Sequence, residues 1–144
     1  MSVNINSLLP VLGLVCWTLL MWIALYATRL PAMKKLYVNP YDARHPNSAY
    51  KERMPPFVRS TADNYNHLHE QPTIFYALMF FAAMTGGGDD FLMMAGWTYV
   101  GLRVVHSFVQ IVVGTVVVRF LVFSASTIVL FVIAGREVMR LMGS

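Results

Sequence analysis

The sequence predicts an all-α fold, a four-helix transmembrane bundle in a multi-pass integral membrane protein, on three observations. Of 144 residues, 57% are hydrophobic and only 12% charged, where a soluble domain carries about 25% charged residues. Long apolar stretches, separated by a few turn signals, occupy most of the chain. Glu70, Arg103, His106 and Arg119 fall inside those stretches, where an ionisable group is tolerated only toward a bundle interior or a polar cavity.

The first helix is read over residues 7–30. Its apolar run from Leu8 to Leu30 has no charge before Arg29, and about 20 such residues cross a bilayer core of roughly 30 Å. Pro31 follows and is expected to stop it. The N-terminus lacks a basic n-region and its apolar run is long for a signal peptide, so it reads as a span rather than a cleaved leader. Cys16 lies inside this run and is expected to be a buried packing residue.

Residues 31–60 read as a polar connection with turns. Pro31, Pro40, Pro46, Pro55 and Pro56 stand there among Asn, Asp and Ser, with Lys34, Lys35, Arg44, Lys51, Arg53 and Arg59. The second helix is read over 62–85. Its apolar part from Thr73 is too short to span alone; with the polar prelude from Thr61 helical, the segment reaches about 24 residues and spans. Thr61 or Asp63 would cap it, and Pro72 would sit inside as a possible kink. Gly86-Gly-Gly-Asp-Asp90 is a turn. The third helix is read over 91–113, with a break at Gly114-Thr115, and the fourth over 116–140.

Four spans put both termini on one side. The first connection, with Arg29 at its edge, carries seven basic residues. The bias of basic residues therefore makes it cytoplasmic and the termini extracytoplasmic. The net charge of +4 is thus local. It suits an anionic leaflet of the lipid bilayer, and without a basic face interleaved with exposed aromatics a nucleic-acid partner is excluded.

Spacing groups the interior charges. Arg103, His106 and Gln110 stand at i, i+3 and i+7 on one face of the third helix, and Asp63, His67 and Glu70 at i, i+4 and i+7 on the second. Arg103 lies about 18 Å from the start of its run, near mid-bilayer, with Glu70 and Arg119 in the cytoplasmic half. Glu70 and Arg103 are the natural ion pair, which can serve simply as glue between helices. Arg119, one turn from its helix start, can equally snorkel to headgroups. Taken together, the cations, the carboxylate and the imidazoles also suit a zwitterionic, peptide-like ligand. No metal site is expected, since the Glu-x-x-His pair of a di-iron bundle is missing.

The stretch Ala62-Asp-Asn-Tyr-Asn-His-Leu-His-Glu-Gln-Pro-Thr-Ile-Phe-Tyr76 resembles the second-helix signature of the MAPEG family, membrane-associated proteins in eicosanoid and glutathione metabolism. Trp97-Thr-Tyr-Val-Gly-Leu-Arg-Val-Val-His106 resembles its third-helix signature. Hydropathy and helix order match over nearly the whole chain. The form looks like a bacterial branch, which implies an inner membrane.

The resemblance implies a homotrimer with glutathione, as co-substrate, bound between subunits on the cytoplasmic side. It implies that Arg29, His67, Glu70, Arg103, His106 and Gln110 line the glutathione site. Arg119 would be the catalytic arginine that stabilises the thiolate, and the second substrate a lipophilic small molecule. The activity implied is a microsomal-type glutathione transferase or peroxidase. Three positions depart from the better-characterised members: Asp63 stands for an Arg, His67 for an Asn, and Gln110 for a Tyr. The alternatives are a non-catalytic membrane binding or structural relative and, further off, a small transporter.

Overall fold

The computed structural model describes residues 4–38, 41 and 50–143, with the side chain of Tyr50 left aside. Every regular element among them is helical. A 3-10 turn, Ile5–Leu8, leads into α1, Leu9–Lys35. Then come α2, Tyr50–Arg53; α3, Pro56–His67; and α4, Gln71–Met84. Next is α5, Asp90–Phe108, extended by a π-helical turn, Val109–Val113, and last is α6, Val116–Met142. Among the described residues, two stretches are long and apolar enough to cross a membrane, Ile5–Lys35 and Val116–Met142.

Pro31 does not stop the first helix, which runs on to Lys35. The proline costs an internal hydrogen bond, but the extension packs. Ala32, Met33, Leu36 and Val38 close over the buried Met54 and Val58. That contact makes helices of part of the expected polar connection, α2 and the start of α3. Positions 39–40 and 42–49 of the connection lie outside the described residues. Thr61 and Asp63 are not caps: they lie within α3, whose N-cap is Pro55 with Pro56 as the first helical residue, a position suited to its fixed φ.

The expected second helix, 62–85, is two helices. Pro72 has no N–H to offer Leu68 and its ring crowds that carbonyl, so the chain opens at Leu68–Glu70, where Glu70 takes φ −90° and ψ −87°. Helix α4 then restarts with Pro72 in its first turn.

The core is built on α1, α4, α5 and α6 around Leu14, Phe75, Met79, Leu92, Tyr99 and Ile133. The rings of Phe75 and Tyr99 stack at 4.4 Å. Helices α1 and α5 approach closely at Gly96, where a Cβ would lie 2.8 Å from Pro10 Cγ and 2.9 Å from Met79 Cε. Small residues at such crossings serve membrane helices, whose association depends on van der Waals packing. The outward faces stay apolar, with Leu19, Leu20 and Ile23 on α1 and Ile128, Phe131 and Val132 on α6 all exposed. So continuous an apolar surface suits lipid or another subunit, not water. Cys16 is on this outer face, contrary to the buried position expected of it. In a bilayer the outside is as apolar as the core, and burial loses its advantage.

One end of the bundle is closed by charge. Glu137 is 2% exposed and accepts from Arg136 Nη1 at 3.2 Å and Arg140 Nη2 at 2.6 Å. Arg140 also donates to the Thr85 carbonyl and hydroxyl. Arg136 reaches the Gly87 carbonyl and pairs with Asp89. The Gly86–Asp90 turn is thereby tied to α6. Gly87 packs so closely that a Cβ would meet Glu137 Oε2 at 2.7 Å.

Candidate functional site

The break between α3 and α4 organises the other end. It ends the α-helical ladder of α3 in tighter i→i+3 bonds, and a buried cation shares the last of the oxygens that accept them. Arg103, 1% exposed, projects from α5 and donates Nη2–H to the His67 oxygen at 3.4 Å. Its guanidinium carbon stands 5.6 Å from the Tyr99 ring centroid and 5.3 Å from that of Phe123. The negative end of a helix dipole and two aromatic faces thus surround the charge.

The expected Glu70–Arg103 ion pair is not formed. Glu70 sits in the break with its side chain 64% exposed, and its Oε2 meets His67 Nδ1 at 2.9 Å. The periodicity that aligned Asp63, His67 and Glu70 assumed one unbroken helix. The break turns Glu70 out of that register.

His67 and His106 meet edge to face, ring centroids 6.3 Å apart, and His106 lies 6.0 Å from Phe123. Together with Arg119, Val116, Phe120 and Phe123 they line a cavity of about 230 Å³. The structure therefore brings His67, His106 and Arg119 together. Arg103 is held just beneath them through the His67 carbonyl and the Phe123 ring. Arg119 is exposed at the start of α6.

Gln110 is buried in the π-helical turn, and its Oε1 has no hydrogen-bond partner among the described residues. Such turns occur often at functional sites. Helix α3 packs against this turn and contributes Asn64, fully buried with neither amide atom paired among the described residues. Arg29 does not line the His67–His106–Arg119 cavity. It lines a separate cavity of about 320 Å³ with residues of α2 and α3.

Other polar residues matter that motif reasoning passed over. Gln71, at the start of α4, donates to Thr127 Oγ1 at 2.6 Å and accepts from Tyr99 Oη at 3.3 Å and Ser126 Oγ at 3.2 Å. It joins α4, α5 and α6 directly below the break. Trp17 Nε1 donates to Ser107 Oγ at 3.2 Å and ties α1 to α5. Asn64 and Gln71 belong to the polar stretch before the apolar run from Thr73. They stood there among other polar side chains, and nothing in the sequence marked these two out.

Chemically, the 230 Å³ cavity offers a permanent cation, two imidazoles and two phenyl rings. That combination can take an anionic or acidic group at its polar side and an apolar body at its aromatic side. Compared with known proteins, residues 7–139 match the MAPEG family. No curated protein and no solved structure matches the chain.

Proposed function

The chain belongs to the MAPEG family, and from that premise we propose that this integral membrane protein is a glutathione-dependent transferase or peroxidase acting on lipophilic electrophiles. The observation that supports this reading best is the convergence of His67, His106 and Arg119 on one cavity walled by Phe120 and Phe123. Arg119 would hold the sulfur of glutathione as the thiolate, since a neighbouring cation favours the reactive, ionised form. His67 and His106 supply donors and acceptors around it, and the aromatic wall admits an apolar electrophile from the bilayer. The sulfur then forms the bond to the electrophilic carbon, and the leaving group departs with the displaced electron pair.

On this reading Glu70, exposed beside His67, takes the ammonium of glutathione, while Arg103 and Gln110 shape the site from α5. Arg29 borders another cavity in the same subunit, so its contact with glutathione is made across an interface between copies. The reading of the working unit as a homotrimer rests on family membership. The basic connection would face the cytoplasm of a bacterial inner membrane, the side from which glutathione arrives.

The test is conjugation of glutathione to a lipophilic aryl halide by protein purified in detergent. The expected result is turnover that falls at least about 100-fold in Arg119→Ala. Equal rates in the two proteins would remove Arg119 from the mechanism. A second reading, a non-catalytic binding relative, is favoured by Asp63, His67 and Gln110, which depart from the better-characterised signature. Glutathione binding without turnover of any electrophile would select it.

A further inference from the structure

Three side chains, each at most 4% exposed, carry polar atoms with no hydrogen-bond partner among the described residues. They are Asn64, through Nδ2 and Oδ1, Arg103, through Nε and Nη1, and Gln110, through Oε1. An unsatisfied polar group is costly to bury, and buried groups in folded proteins are paired with protein atoms or with ordered water. Packing brings the three together. Helix α3 packs on the π-helical turn that extends α5. Thr61 lines an apolar cavity with Ser107 and Ile111, while His67 meets Arg103 and His106, so the two helices run antiparallel. Asn64 is midway between Thr61 and His67 and stands opposite the segment from Arg103 to Gln110. Arg103, Ser107 and Gln110 share one side of that segment. The Ser107 hydroxyl is already in use: it donates to the Arg103 carbonyl and accepts from Trp17 Nε1. Arg103 and Gln110 are left to face Asn64.

The orphaned atoms are mixed in kind. Nε and Nη1 of Arg103 and Nδ2 of Asn64 donate, whereas Oδ1 of Asn64 and Oε1 of Gln110 accept. An anion satisfies the donors but sets two oxygens against its charge. A cation satisfies the oxygens but faces the guanidinium. Water both accepts and donates, and makes about three hydrogen bonds when buried. One or two water molecules therefore complete the set.

We propose that Asn64 is a positioning residue for the glutathione cavity, acting through internal water that it shares with Arg103 and Gln110. Its effect on affinity rests on the glutathione reading; the water site does not. The bond from Arg103 to the His67 oxygen, at 3.4 Å, is long, and one such contact does not fix a guanidinium. Water held by Asn64 against Nε or Nη1 steadies the guanidinium from its other side. That keeps the His67 carbonyl in place, and with it the His67 ring that lines the cavity beside His106 and Arg119. Asn64 itself touches neither glutathione nor the reacting sulfur.

The experiment has two arms. The first is a density map of the unaltered protein at a resolution that shows ordered water. Water within hydrogen-bond distance of the Asn64 amide and of Arg103 or Gln110 is expected; an amide met only by protein atoms overturns the water site. The second arm is calorimetric titration of glutathione into the unaltered protein, Asn64→Leu and Asn64→Ser in one detergent. Leu fills the space without a polar atom and should weaken binding about tenfold, the worth of one buried hydrogen bond. Ser keeps a hydroxyl and leaves room for water, and should bring affinity back to within about threefold of the unaltered protein. The thiolate absorbance at saturating glutathione should be the same in all three, since Arg119 is untouched. A merely structural defect would instead lower the bound fraction at saturation and leave the affinity of the remainder unchanged. That result, unchanged affinity in Asn64→Leu, or equal weakening in both variants would overturn the positioning role. Failure of the unaltered protein to bind glutathione would overturn the glutathione reading and the positioning role together, with the water site still decided by the map.

Discussion

Arg103 donates to the backbone oxygen of His67 at 3.4 Å, so the partner of this buried cation is the end of a helix and not a carboxylate. The chain opens after α3, and the His67 oxygen at that opening accepts from both Glu70 N–H, at 3.4 Å, and Arg103. The Arg103 contact also fixes His67, which shares its cavity with His106 and Arg119. The polar end of the bundle is therefore organised by a backbone interruption as much as by side-chain pairing.

Arg103→Met and Glu70→Gln should behave differently. Arg103→Met removes a buried charge-assisted hydrogen bond and two aromatic contacts, and is expected to cost about 2–4 kcal/mol. Glu70→Gln removes one exposed contact and should cost less than about 1 kcal/mol. Thermal unfolding of both variants in the same detergent checks this. Equal destabilisation would restore the ion-pair account of these two residues.

At the closed end, Glu137→Ala leaves Arg136 and Arg140 without the carboxylate they share and should cost about 3–5 kcal/mol. Because this cluster is about 27 Å along α6 from Arg119, glutathione affinity in the folded variant should be unchanged. Unfolding and binding measured on one preparation separate the two effects.

Gly96 and Gly101 lie on the same helix and should give opposite results. Gly96→Ala places a methyl group against Pro10 and Met79 and should destabilise by about 1–3 kcal/mol. Gly101 has nothing within 4 Å of its Cβ position, so Gly101→Ala should be neutral or stabilising by up to about 1 kcal/mol. Parallel melting curves decide it.

Gln71→Leu removes the amide that links Tyr99, Ser126 and Thr127 and leaves buried hydroxyls short of partners. A loss of about 1–3 kcal/mol is expected, read as a lower unfolding midpoint. A neutral result would show that the hydroxyls re-pair with backbone carbonyls, as Ser126 and Thr127 already do with Phe123.

Much of this was legible in the sequence because hydropathy and turn signals are strong. The apolar runs became helices, the Gly86–Asp90 turn stands where it was read, and His106 is buried on one face with Arg103 and Gln110. What escaped was set by tertiary contacts. The Pro55-Pro56 pair looked like loop, yet it starts α3. Pro31 looked like a stop, yet packing on Met54 and Val58 carries the helix past it. The period that placed Glu70 beside Arg103 held only while the helix was unbroken. Pro72 was visible, but not whether it would kink or break the helix; the chain opens over residues 68–70. Cys16 was misplaced by a rule for proteins in water.

The central claim is that Arg119 ionises glutathione in the cavity it shares with His67 and His106. Ultraviolet difference spectra of glutathione added to the purified protein report thiolate directly. At neutral pH a saturable thiolate band is expected, lost in Arg119→Ala and retained in Glu137→Gln. Saturable binding without that band, or a band of equal size in Arg119→Ala, would contradict the account.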